Sequence, residues 1–299
     1  MISRHGMLTL IAPQDTPGPV TRTVRDAALM FQEMVGFDPN DALTAYSEQV
    51  ALVQTHDGEH EPYAATLYDA EPSRLRIGVL ESLFGPDEDP LYRAVNDRVK
   101  SALGRLEDAG AAVKPFSIYN LQQWIITTSL FADRSGGDLD QFFGKALPSL
   151  NLSVKDIFQE KAYHPALDLF EIIANGPDNR LDPAYALRLQ RHNDFRPQVM
   201  AAMIQGEVDL LAFPTCQVPA PITQDVVDGK WSVANFPTNT YLAAQTALPA
   251  ISVPVGETED GLPIGIELVA FGYHERQLFE AATVIEREVR GRIRPRLPQ

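Results

Sequence analysis

Few residues in this chain have both the type and the spacing that chemistry requires. Ser135-Gly136-Gly137 sets a hydroxyl beside two glycines, Cys216 closes an apolar run, and His56 and His60 lie four apart among Asp57, Glu59 and Glu61. A serine or cysteine attacks only when a base takes its proton, and two histidines at that spacing share a metal only from one face of a helix. Ser135 lies among Asp133, Asp138 and Asp140 and reads as part of a glycine turn. Cys216 has no recognisable base beside it in sequence and reads as an inert, half-buried thiol. Gly58 and its polar surroundings put His56 and His60 in an exposed loop rather than in a metal site. His5, His164, His192 and His274 are dispersed, and no G-x-S-x-G elbow occurs, although a serine, histidine and aspartate brought together by the fold stays open.

The elements that would have to position such groups belong to an ordinary globular chain. With 299 residues, 44% hydrophobic and 22% charged, it can bury a large core as one large domain or two smaller ones. A formal net charge of -15 argues against a nucleic-acid backbone or an anionic membrane as partner. A single cysteine excludes an internal disulfide framework and a multi-cysteine metal site, which makes a reducing compartment, the cytoplasm, the expected location. The apolar run Met7 to Ala12 lacks the length and cleavage pattern of a signal peptide, and no run approaches a membrane span.

Along the chain, Pro13, Pro17, Gly18 and Pro19 make residues 1–20 extended or turned, lying on some other part of the fold. Thr23 with Asp26 caps a helix whose face is Val24, Ala27, Ala28, Phe31 and Val35. Leu75 to Leu80 reads as a strand. Asp89-Pro90 then starts a helix with Leu91, Val95, Val99, Leu103 and Leu106 on one face, and Val113 to Phe116 is the next strand, a unit that favours a parallel pair in an α/β layer. Residues 117–205 are mostly helical, with breaks at Gly136-Gly137, Pro148 and Gly176-Pro177 and a helix from Pro183 to Gln205. Val208 to Phe213 is a buried strand. A helical run from Thr238 to Thr246 feeds a hairpin, Ile251 to Val255 and Ile264 to Val269, in which Ile251, Val253 and Val255 share one face and Ile264, Ile266 and Leu268 another. Pro254 cannot donate to a ladder and belongs at a bulge or an outward N–H. The last helix carries Leu278, Ala281, Ala282, Ile285 and Val289 on one face. The fold class expected is α/β, a mixed central sheet sandwiched by helices.

Four ordered blocks carry a resemblance. Ser3-Arg4-His5-Gly6, Asp15 to Ala28 and Asp38-Pro39-Asn40-Asp41 follow "SRxG...DTxGPMxRTVxDAA...DPxD". Leu75 to Val113 follows "LRIGVPxxxF...AxxxLxxxGAxV", and Asp209 to Ile222 resembles "DxLLxPTxPxxAPxI". Leu248 to Gly256 with Asp260 to Val269 resembles "GLPAISVPxG...DGLPxGxQLV". Together they resemble the amidase signature enzymes, which hydrolyse or transfer carboxamide groups through a serine nucleophile, a second serine in a cis peptide and a lysine base.

By that resemblance, residues 1–299 correspond to the C-terminal part of a single amidase domain, incomplete at the N-terminus, with 117–205 as its variable helical region on the substrate side. The resemblance places the lysine, both serines and the oxyanion loop before the "SRxG" block, which here begins at Ser3. Ser135-Gly136-Gly137 matches the family's Gly/Ser-rich nucleophile loop poorly, because it follows the strand-helix-strand unit and lacks the lysine and second serine. Ala247 stands where the motif has glycine, and Ala244 where many members carry asparagine. The resemblance thus implies an amidase-type hydrolase of carboxamide C–N bonds acting through an acyl-enzyme. It implies no catalytic, metal or cofactor residue in this chain and leaves the substrate-binding residues unknown. The chain alone is expected to be inactive and prone to associate, with a small amide as substrate once the catalytic segment is present, and with a second copy or a complementing N-terminal segment as partner. The alternative is a non-catalytic remnant or a binding subunit that needs a separate partner chain.

Overall fold

A computed structural model describes residues 1–54, 62–176 and 183–292. Helices α1 (Val24–Met34) and α2 (Ala45–Gln54) precede strand β1 (Arg76–Leu80), helix α3 (Pro90–Asp108) and strand β2 (Ala112–Phe116). A helical stretch follows, with α4 (Leu121–Thr128), α5 (Phe131–Ala146), α6 (Val154–Gln159), α7 (Phe170–Asn175) and α8 (Pro183–Gln205). Strand β3 (Leu210–Pro214), short helices α9 (Thr223–Val227) and α10 (Tyr241–Thr246), the hairpin β4 (Ala250–Glu257) and β5 (Pro263–Ala270), and α11 (Glu275–Val289) complete the order.

The five strands form one mixed sheet in the order β2-β1-β3-β5-β4. β1 pairs in parallel with β2 and β3, β5 runs antiparallel to β3, and β4 antiparallel to β5. Alternation along β3 shows why helices cover both faces: Leu210 and Ala212 join one buried cluster, Leu211 and Phe213 the other. The first cluster packs Ile77, Val253, Val255, Ile264, Ile266 and Leu268 against buried residues of α1, α3 and α11. The second packs Leu80, Phe213 and Val269 against Phe195, Val199 and Met203 of α8, Leu242 of α10 and Leu121 of α4. The capping expectations hold: the Thr23 hydroxyl accepts from the Asp26 N–H, and the Asp89 carboxylate accepts from the Leu91 N–H with Pro90 opening α3. Leu91 itself, in the first turn, stays 42% exposed. Pro254 flanks the register shift between Pro254 and Gly256, a bulge on an edge strand.

Two local expectations are overturned. Ser135-Gly136-Gly137 is not a turn, because α5 runs through it from Phe131 to Ala146. A Cβ on Gly136 would lie 2.5 Å from the Ile173 carbonyl oxygen, so the glycine permits the close approach of α7 that offsets its poor helix propensity. The helix expected from Thr238 begins only at Tyr241, since Thr238 forms a bridge with Cys216 and the Asn239 N–H is spent on the Thr215 carbonyl. Residues 1–20 form no helix or strand of their own. Arg4 makes a two-pronged contact with Asp41 at 2.9 Å, donates to the Ala12 carbonyl at 2.8 Å, and the Ala12 N–H donates to Asp138 of α5 at 2.8 Å. The segment is thereby fastened to the 38–44 turn and to α5.

Candidate functional site

Where β1 and β3 give way to loops, backbone carbonyls need partners, and one side chain supplies two of them. The buried Asn239 amide donates to the Leu83 carbonyl at 2.8 Å and to the Pro214 carbonyl at 2.7 Å, while its oxygen accepts from Gln217 Nε2 at 3.0 Å. Every polar atom of that amide is thus used, and the loops leaving the two strands are tied together. Carboxyl ends of parallel strands are where open α/β sheets hold ligands, and Thr215 and Cys216 emerge there.

Beside this knot, on edge strand β4, lies a sheet face that the described residues leave uncovered. On β4, Ala250, Ser252 and Pro254 are exposed, whereas Val253 and Val255 of the opposite face are buried. Thr215 Oγ1 and Ser252 Oγ meet at 2.6 Å across β5. Gly265 makes that meeting possible, because a Cβ there would lie 2.7 Å from Ser252 Oγ and 3.2 Å from Thr215 Oγ1. Glu267, two residues on and facing the same side, is paired in register with Ser252 and with Phe213. It is only 4% exposed, and burial pushes its carboxyl up to about 7. Burial also raises the Cys216 thiol, whose Sγ lies 3.9 Å from Thr238 Oγ1.

The chemistry available here is that of a binding floor with one proton-exchanging group. Glu267 is poised to give or take a proton near neutrality, and the two hydroxyls can donate or accept. A thiol held in its neutral form is a poor nucleophile, and Cys216 is half-buried as the sequence leads one to expect. Ser135 is fully buried within α5 with an unpartnered hydroxyl, away from any open surface. His192 is buried on α8 with Nδ1 3.1 Å from the Thr128 carbonyl and its pKa lowered by burial, while His274 Nδ1 lies 3.0 Å from the Gly272 carbonyl. His5 and His164 are exposed, and His56 and His60 lie outside the described residues. Among the described residues no three His, Cys, Asp or Glu side chains gather as metal ligands would. Sequence reasoning missed Glu267, although a signal existed: the "DGLPxGxQLV" pattern has glutamine at this position.

The family model described as Amidase matches residues 1–279. The chain belongs to the amidase family. A glutamyl-tRNA(Gln) amidotransferase subunit of Pseudomonas fluorescens (strain Pf0-1) is 30% identical over 298 residues, an alignment taking in 94% of this chain and 56% of that protein. The amidase fold is matched in the crystal structure of PAM12A at a TM-score of 0.77 with 28% identity, over 98% of this chain and 57% of the other. Native peptide amidase from Stenotrophomonas maltophilia gives a TM-score of 0.72 with 26% identity, over 99% of this chain and 57% of that one. This amidase-family chain therefore spans little more than half the length of the relatives it matches. Among its described residues, no helix is long and apolar enough to cross a membrane.

Proposed function

We propose that these residues are the C-terminal part of a single amidase domain, one that cleaves carboxamide C–N bonds of small molecules through an acyl-enzyme. In this reading they supply the sheet, the helical cover of residues 117–205 on the substrate side and the Thr215–Ser252–Glu267 floor. The serine, cis-serine and lysine machinery comes from outside them. The observation that carries it concerns the lysines. A lysine serves as base only within hydrogen-bond reach of the hydroxyl it deprotonates, yet Lys100, Lys114, Lys145, Lys155, Lys161 and Lys230, the lysines of this chain, are all exposed, with Lys100 and Lys230 bonded to Asp87 and Asp225 and none bonded to a serine hydroxyl among the described residues. The Thr215 and Ser252 hydroxyls, moreover, bond to each other rather than to a base.

The protein works in the cytoplasm in this proposal, and the open face of edge strand β4 is where a complementing N-terminal segment or a second copy packs. A second reading, a binding subunit that needs a separate partner chain, is favoured by the Pseudomonas relative, whose name makes it one subunit of an amidotransferase. Ammonia release from a panel of aliphatic and aromatic primary amides tests the first reading. The purified 299-residue chain is expected to match the buffer control. Turnover that rises with protein concentration and survives Ser135→Ala and Cys216→Ala would overturn it.

A further inference from the structure

Away from the β4–β5 face, beside edge strand β2, helices α4 and α8 border a groove of about 350 Å³. Tyr119, Asn120, Gln123, Trp124, Arg191 and Gln198 line it, and among the described residues no aspartate or glutamate does. That is unusual in a chain with 40 acidic residues against 25 basic ones. Arg4, Arg76, Arg134 and Arg188 are each held by an aspartate. Arg191, among the described residues, has neither a carboxylate nor a carbonyl partner, so its planar fork of N–H donors is free to meet a ligand. Gln123 and Gln198 add amide donors without neutralising the guanidinium. Trp124 is held by stacking on Phe195, with ring centroids 5.6 Å apart and planes 3° from parallel, and offers its remaining surface to the groove.

We propose that this groove is a binding site for a small aryl carboxylate, its carboxylate seated on the Arg191 fork and its ring against Trp124. A carboxylate matches the fork in two parallel hydrogen bonds, and the volume suits a ligand of one or two rings. Helices α4 and α8 belong to the 117–205 cover that the amidase reading puts on the substrate side, but occupancy of the groove is measured without any turnover, so its failure and the failure of that reading are distinguishable.

The chain has two tryptophans, so Trp231→Phe leaves Trp124 as the single reporter. Titration of that variant with benzoate at low salt is expected to change Trp124 emission saturably, with ligand-observed NMR confirming contact with the ring. Arg191→Gln, at an exposed position, is expected to keep the melting temperature and to weaken benzoate by roughly tenfold or more, the loss of a charged, two-pronged contact. Neutral benzamide is expected to bind no better than benzoate does to Arg191→Gln. No saturable emission change, equal binding of benzamide and benzoate, or undiminished binding by Arg191→Gln would each overturn the proposal. Inorganic phosphate that competes as well as benzoate would also overturn it, marking an oxyanion site with no use for the ring.

Discussion

At the β1–β3 end of the sheet both faces are closed by helices, and β5 is buried on both faces from Ile266 to Ala270, whereas on edge strand β4 the described residues leave the face of Ala250, Ser252 and Pro254 open. The closed end is held by apolar burial, each leucine, isoleucine or phenylalanine contributing on the order of 1.5–3 kcal/mol. The open end is built from groups that burial alone would not select: two hydroxyls that hydrogen-bond across a glycine, and a carboxyl kept nearly dry. Such groups cost stability unless something they bind offsets it. Substitutions at the polar end should therefore separate from those in an ordinary core.

The largest effect is expected from Glu267→Gln. An isolated glutamate loses its proton near 4.5, but in the folded chain Glu267 holds it to about 7, so the folded state binds more protons between those values and stability falls as pH rises through that window. Above it the buried charge costs about 3 kcal/mol. Glu267→Gln should therefore stabilise the chain by about that much at pH 8 and change little at pH 4.5, measured by urea unfolding across pH. An equal effect at both values would place the carboxyl in a wetter environment than its burial implies.

Gly265→Ala should come next, destabilising by about 1 kcal/mol as the new methyl drives the Thr215 and Ser252 hydroxyls apart. Adding Ser252→Ala should relieve most of it, giving a coupling term in a double-mutant cycle; strict additivity would show that the hydroxyl pair is not what the glycine accommodates. The smallest effect lies at the junction of the two ends. Ala247 closes α10 at φ 51° and ψ 34°, the left-handed region that disfavours a Cβ. Ala247→Gly should raise stability by about 0.5–1 kcal/mol in thermal unfolding, and a loss would mean that the methyl's packing outweighs the backbone strain.

How much of this was legible depended on whether local pattern and burial agreed. The strands were readable either from period-two apolar runs, such as Ile264, Ile266 and Leu268 facing one core, or, for β3, from a continuous apolar run buried on both faces. The caps at Thr23 and Asp89 were readable because a side-chain oxygen and an N–H two or three residues on are a local matter. Gly136-Gly137 misled, since two adjacent glycines look like a turn until α7 is seen pressing on one of them. The start of α10 misled for a similar reason, because the Asn239 amide is committed to carbonyls 25 and 156 residues away. Glu267 was the hardest to read. Alternation assigns it a face of β5, but only the assembled sheet shows that this face is buried over Glu267 and more open over Ser252.

The pairing of β1 with β3 also sets the order in which the fold can assemble. Arg76 reaches Asp209, 133 positions further along the chain, and closing so long a loop costs about 4 kcal/mol of chain entropy before its contacts form. Helices α4 to α8, whose contacts are nearer in sequence, can form while that loop is still open. On a ribosome adding roughly 5–20 residues each second, β1 and β2 are finished roughly 5–20 s before β3 exists. For that interval the centre of the finished sheet is an unpaired strand edge, the point at which a second nascent copy or a chaperone could reach it first.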